Sequence, residues 1–592
     1  MKALTLTLLF ASSLASAQRC RPFDVVYYNG NILTGKGLQS NNPEHVTALG
    51  ILNGHIQYTG TDAQVFAYCE AITKIDLHGA FVMSGFNDAH THIASAGQQR
   101  LSVDLDNIPS LAAMQDKIRT YVTTLAPDQW ITGGGWDHTK RSTAKLPTRQ
   151  DLDAVTGNHP AYLERTDGHI AIVNTAALAA AHITGSAKAP AGSQIDLDPT
   201  GQPTGIIREQ AAHDLIEAVI PKPDAATRRR ALEFSIDDAL AHGVTSLQDF
   251  SDWDDFLVLE QMEREHKLPL RISEWLTFND PIATLKDHRA HHDLNDPLLH
   301  TGMLKGFMDG SLGSRTAAML QPYSDDPTNS GLPRYDQAKL NQMTAERAAA
   351  GFQIGFHAIG DRANTMALNA FSAANDAVEA AVEKQRAEAT KACFASHPEA
   401  RAIADACGTL PRPRVQTSWA QRFRIEHAQV LTHADFDRYA ELHIIASMQP
   451  SHLLTDMAWA PARLGPERSK YAYAWKSFLD HGVTLAFGTD YPVESIDPFR
   501  GLYAAITRQN EAGTQTFEPQ EKLTLNQALY AYTQASAFAE NEEKIKGILA
   551  PGYLADFIIL DRDITTATPQ QLLHTKVLRT VVGGQTQYQS AQ

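Results

Sequence analysis

The 592-residue chain has no run of the roughly 18 uninterrupted apolar residues that a membrane helix needs. It also has no internal repeat and no low-complexity tract. Positive charge is in short supply: 51 Lys and Arg stand against 67 Asp and Glu, a net charge of −16. Phosphate binding needs clustered Lys and Arg, so nucleic acid is excluded as an expected partner. Cysteine is scarce, with four residues that fall into two sequence-local pairs, Cys20 with Cys69 and Cys393 with Cys407. What remains is a soluble, acidic chain, 43% hydrophobic, long enough for a large core and more than one domain.

The first residues do not read as fold. Met1-Lys2 gives a positive start, residues 4–10 an apolar centre, and Ala15-Ser16-Ala17 an A-x-A cleavage site. Residues 1–17 are expected to be a signal peptide, which places the mature chain in the periplasm or outside the cell. An oxidising compartment makes the disulfides Cys20–Cys69 and Cys393–Cys407 the expected pairing.

Both ends of the remaining chain read as β-structure. Residues 23–28, 46–52 and 55–58 are strand-like with Asn-Gly turns between them, and residues 555–560 and 577–582 are apolar β runs. The two sets are expected to complete one composite sandwich from residues 18–79 and 546–592. Between them, apolar runs alternate with helical patterns, the mark of βα architecture. The runs 80–83, 244–248, 270–276, 303–308, 353–357, 424–427, 444–448 and 484–488 predict a (β/α)8 TIM barrel over residues 80–545. The stretch from about 95 to 230 is too long for one helix and predicts an inserted lid subdomain. A second insertion, about 372–418, reads as helical.

Barrel enzymes carry their active residues at the C-terminal ends of the strands. His90 and His92 lie two apart after the first predicted strand, a spacing that presents both imidazoles to one spot. Lys305 lies in the fourth strand, His357 ends the fifth, His427 ends the sixth, and Asp490 follows the eighth. Four imidazoles and a carboxylate make a zinc-type donor set with room for two metals. An ammonium cannot ligate a cation. Lys305 is therefore either an ordinary charge partner, of Asp309 for example, or is converted by CO2 into an anion able to bridge two ions.

The chain resembles the amidohydrolase superfamily, and within it the third amidohydrolase family. The resemblance rests on Asp88-Ala89-His90-Thr91-His92, Gly134-Gly135-Trp136-Asp137, Thr166-Asp167-Gly168-His169, the run from Lys305 to Ala317, His357-Ala358-Ile359-Gly360-Asp361, Ser447-Met448-Gln449-Pro450-Ser451-His452 and Gly488-Thr489-Asp490. One departure is Ser84, where the family usually has Pro; it bears on turn rigidity rather than ligation. The resemblance implies that His90, His92 and Asp490 hold one metal, His357 and His427 the other, and carbamylated Lys305 bridges two Zn2+. It further implies amide-type C–N hydrolysis by metal-activated hydroxide, with Asp490 as proton shuttle. Trp136, Asp137, Arg165, His169, Arg315 and His452 are expected at the substrate. Deamination, ester or lactone hydrolysis, and a non-catalytic binding or regulatory role are the alternatives. The expected partner is a small-molecule substrate, and a homodimer is an open expectation.

Overall fold

The computed structural model describes residues 20–140, 145–185, 187–396 and 417–591. Its centre is an eight-stranded parallel sheet, with neighbours in chain order. The strands are β1 (Phe86–Thr91), β2 (Val244–Asp249), β3 (Arg271–Thr277), β4 (Leu299–Phe307), β5 (Ile354–Ala358), β6 (Arg424–His427), β7 (Ile445–Met448) and β8 (Leu485–Phe487). The seam between β8 and β1 is bridged at the top. The Asp490 N–H donates to the His90 carbonyl at 2.8 Å, and the His92 N–H to the Tyr491 carbonyl at 2.8 Å. The result is a (β/α)8 barrel whose closure itself places Asp490 beside the two histidines.

The predicted first strand is displaced. Residues Phe81–Ser84 are buried as expected, but they pair with Asn31–Leu33 and Phe557–Leu560 in the sandwich. The barrel strand is the next segment, Phe86–Thr91, which contains the histidine motif. Gly85 marks the crossing from one sheet to the other. A Cβ there would lie 2.2 Å from the Thr245 side chain, so nothing larger than Gly fits. Ser84 closes the sandwich strand, opposite Phe557.

Both chain ends meet in that sandwich. One sheet runs His55–Gly60, Ala48–Leu52, Phe23–Tyr28, Ala71–Asp76. The other contains Val577–Val582, Phe557–Leu560, Phe81–Ser84 and Asn31–Leu33. Tyr27, Leu49, Ile51, Val82, Phe557 and Val581 fill the space between them, with Tyr27 edge-on to Phe557. Cys20 and Cys69 form the expected disulfide. The other expected bridge involves Cys407, which lies outside the described residues.

Helices Ile93–Leu101 and Ala225–Ala241 pack against each other on the barrel wall. Between them the chain builds a separate six-stranded sheet with its own core, including Val103, Met114, Ile131, Trp136, Leu163 and Ile172. After β5 a single helix runs from Asp361 to Ser396, through the first part of the expected second insertion. No helix among the described residues is long and apolar enough to cross a membrane.

Candidate metal centre and active site

β1 sets the site. Asp88 and His90 share one face of the strand. The Asp88 carboxylate accepts the His90 N–H at 3.0 Å, the Thr489 N–H at 2.9 Å and the Thr489 hydroxyl at 2.5 Å. One carboxylate thus clamps β1 to the loop after β8. Gly488 permits the approach, since a Cβ there would lie 2.6 Å from Asp88 Oδ1. Asp490, in the left-handed region at φ 60°, then turns its carboxylate toward the barrel axis.

The tautomers of the two histidines follow from their partners. His90 Nδ1 is 2.8 Å from Glu426 Oε2, and His92 Nδ1 is 3.1 Å from the Phe250 carbonyl. Both partners only accept, so each Nδ1 carries the proton and each Nε2 offers a lone pair. Burial, aided by the neighbouring Lys305, pushes His90 down to about 4, so it stays neutral. Burial would raise Glu426, but Arg424 and His90 hold it far below the usual carboxylate range. Arg424 grips Glu426 at 2.5 and 3.1 Å. The Nε2 atoms of His90 and His92 lie 3.5 and 3.1 Å from Asp490 Oδ1. Donor atoms of His90, His92 and Asp490 all fall within 4.8 Å of one another, a set that fits a divalent cation.

A second set shares Asp490. Donor atoms of His427, His452 and Asp490 also lie within 4.8 Å of one another. His427 Nδ1 and His452 Nε2 are buried without a hydrogen-bond partner, although His452 Nε2 is only 3.4 Å from Asp490 Oδ2. His452, expected at the substrate, thus sits among the candidate metal donors. His357 is adjacent, its ring 4.5 Å from that of His427, but its Nε2 is turned to the Gly310 carbonyl at 3.1 Å and it belongs to neither donor group. Lys305 is buried, with Nζ 2.8 Å from His90 Nε2 and 5.3 and 5.1 Å from the ring centres of Trp275 and Phe307. Burial pulls its ammonium down to about 8.

The inserted subdomain borders this mouth, and together they line a cavity of about 1070 Å³ that reaches His92, Lys305, His357 and Asp490. Within the subdomain Arg165 holds Asp137 at 2.7 Å and Asp167 at 2.5 Å. Asp167 in turn accepts from Ser311 and Ser314 of the loop after β4. His169 reaches over the site, its ring 5.1 Å from that of His357. Its Nδ1 lies 3.1 Å from Glu209 Oε2, and Arg334 holds the same oxygen at 2.6 Å.

Two expected substrate residues lie elsewhere. Trp136 is fully buried in the lid's core, donating its indole N–H to the Leu163 carbonyl at 2.8 Å. It ends its strand facing inward, and the next residue, Asp137, takes the cavity side. Arg315 is held by Asp325 at 3.2 and 2.8 Å in an ion pair away from the cavity. Conversely, sequence reasoning assigned no role to Arg424, Glu426, Glu209 or Arg334. The first two were recoverable: charges two apart on an apolar barrel strand face the same interior and must satisfy each other.

Glu209 supplies a pH prediction. Burial would raise its pKa, but His169 and Arg334 outweigh that and hold it at about 2, below its ordinary 4.5. A depressed carboxylate stabilises the fold above its unfolded pKa and loses that contribution as pH falls through the folded value. The window is therefore from 4.5 down to about 2. The total at stake is about 3 kcal/mol, at 1.36 kcal/mol per unit. Urea midpoints measured from pH 5 to pH 2.5 should fall less steeply for Glu209→Gln than for wild type; parallel curves would refute the role.

The amidohydrolase family profile matches residues 73–411 and 379–588. Protein LONG AFTER FAR-RED 3 of Arabidopsis thaliana is 30% identical over 578 residues, covering 95% of this chain and 91% of that protein. N-substituted formamide deformylase of Arthrobacter pascens is 25% identical over 583 residues, covering 96% of this chain and 98% of that one. The crystal structure of an uncharacterized metal-dependent hydrolase from Pyrococcus horikoshii superposes with a TM-score of 0.69 at 26% identity, over 92% of this chain and 99% of that one.

Proposed function

Because the chain belongs to the amidohydrolase family, a family of metal-dependent hydrolases, we propose that it is exported and hydrolyses the C–N bond of a small-molecule amide. The observation that carries this reading is the convergence of His90, His92 and Asp490 under a lidded cavity at the barrel mouth. Those three residues would hold one divalent ion of the zinc type. His427 and His452, with His357 beside them, would supply donors for a second, and Lys305 modified by CO2 would serve both. Such ions supply Lewis acidity: they polarise a carbonyl and acidify water.

The chain's own residues do the rest. Glu426 and the Phe250 carbonyl fix the rings of His90 and His92, so their lone pairs need no reorganisation. Asp490 is held ionised: burial would raise it, but His90, His452 and His92 keep it well below the usual range. It can therefore take a proton from the attacking water and pass it to the departing nitrogen. The lowered ammonium pKa of Lys305 gives its amine the neutral form that reaction with CO2 requires. His169 and Arg165 position the lid that excludes bulk water from the cavity.

Support for a C–N bond comes from the Arthrobacter relative, whose name assigns it N-substituted formamides. Support for export comes from the charged and apolar start, the Ala15-Ser16-Ala17 site and the Cys20–Cys69 disulfide. The test is a panel of formyl amides, acyl amino acids, imides, lactones and aminated heterocycles given to zinc-loaded protein. Release of free amine from an amide is expected. Turnover confined to lactones, or release of ammonia from a heterocycle, would overturn the bond assignment.

A further inference from the structure

The lid carries another convergence of donors. On strand Ala161–Arg165, alternation puts Tyr162 and Glu164 on one face. On helix Gln210–Glu217, a spacing of four puts His213 and Glu217 on one face. The two faces meet. The Tyr162 hydroxyl is 3.0 Å from Glu164 Oε1, 2.8 Å from Glu217 Oε1 and 3.2 Å from His213 Nδ1. His213 Nδ1 is 4.0 Å from Glu164 Oε1. Donor atoms of Glu164, His213 and Glu217 all lie within 4.8 Å of one another.

Two features show that protein groups alone leave this cluster incomplete. The first is charge. Among the described residues no Lys or Arg forms a salt bridge with Glu164 or Glu217, so two neighbouring carboxylates lack a counter-ion. The single Tyr162 proton cannot serve Glu164 Oε1, Glu217 Oε1 and an imidazole lone pair at once, and the neighbouring donor Gln210 Nε2 reaches only Glu217 Oε2, at 3.1 Å. The second is His213. It is fully buried, and its Nδ1 is aimed into the cluster. Its Nε2 has no hydrogen-bond partner of good geometry and lies beside the Ile207 backbone. A ring with Nε2 toward a backbone carbonyl and Nδ1 toward carboxylates is oriented as metal-binding histidines are.

We propose that Tyr162, Glu164, His213 and Glu217 form a separate metal site in the lid, for a divalent transition ion of the zinc type. Four ligands on a tetrahedron with bonds of roughly 2.0–2.2 Å stand about 3.3 Å apart. The separations of 2.8, 3.0, 3.2 and 4.0 Å bracket that value. An imidazole among oxygens favours such an ion over calcium or magnesium. The ion would supply the missing counter-charge and tie the strand to the helix. The strand ends in Arg165, which holds Asp167 against Ser311 and Ser314 of the barrel loop. Glu209, just before the helix, holds His169. The ion would thus brace both lid contacts with the catalytic cavity.

The experiment uses the full chain with His90, His92 and Asp490 all changed to Ala, which disables both donor sets at the barrel mouth. The protein is stripped with chelator, loaded with Zn2+, desalted and analysed for metal. One equivalent should remain bound, and it should be lost when Glu217→Gln or His213→Ala is added. Zn2+ should also raise the melting temperature of the triple variant, and this shift should vanish with the near-isosteric Glu217→Gln. The same metal content with and without Glu217→Gln would overturn the site. So would a melting shift produced by an organic diammonium but not by Zn2+, which would assign the carboxylates to a cationic ligand instead.

Discussion

Asp490→Asn should lower kcat by about 10²–10⁴-fold, the usual worth of positioned acid–base transfer, while the variant stays folded. The carboxylate is engaged from both sides. Oδ1 faces His90 and His92 at 3.5 and 3.1 Å, and Oδ2 faces His452 at 3.4 Å. It is buried yet ionised, because the surrounding imidazoles outweigh the cost of burial. Asn keeps the shape, and the backbone bond from residue 490 to the His90 carbonyl that closes the barrel seam is untouched. What Asn cannot do is accept a proton. The measurement is kcat on the best amide at saturating metal, paired with a thermal melt. Near-native turnover in the variant would assign proton transfer to another group.

Lys305→Ala should abolish turnover and lower metal content, with partial rescue by short carboxylic acids. Lys305 is buried in the barrel near Trp275 and Phe307, where the cost of burying the ammonium exceeds what Glu426 and Asp490 return. Its Nζ lies 2.8 Å from the His90 ring nitrogen that faces Asp490. A cation so close to a metal-binding nitrogen would repel the ion, whereas a carbamate would bind it. Acetate or propionate diffusing into the space left by Ala supplies oxygens at that position. Metal analysis, activity with and without added acid, and ¹³C NMR of protein equilibrated with ¹³CO2 report on one hypothesis together. A fully active enzyme with a single ion and unmodified Lys305 would refute it.

The barrel was largely legible because fully buried parallel strands read as apolar runs. The one displaced strand shows where that signal stops. The run at 80–83 is a buried strand, but of the sandwich. The true β1, Phe86–Thr91, is written in Asn, Asp, His and Thr because it carries the site. There chemistry overrides the apolar pattern. The spacing of His90 and His92 is a weak signal by itself; it gains weight from the candidate donors after later strands, and the donor atoms of His90, His92 and Asp490 do lie together. His452 was not legible as a donor, because its membership of the donor set depends on how the short helix after β7 sets its ring against Asp490. Trp136 was misread because its motif alternates: Trp136 packs inward while Asp137 meets Arg165. The ion pairs of Glu209 with Arg334 and of Arg315 with Asp325 depend on loop geometry that no local pattern encodes.

The most direct test of the central claim is an anomalous difference map at the zinc edge, from crystals of zinc-loaded protein taken from a preparation that hydrolyses its best amide. A peak enclosed by His90, His92 and Asp490 is expected. An active preparation with no peak at those three residues would contradict that claim.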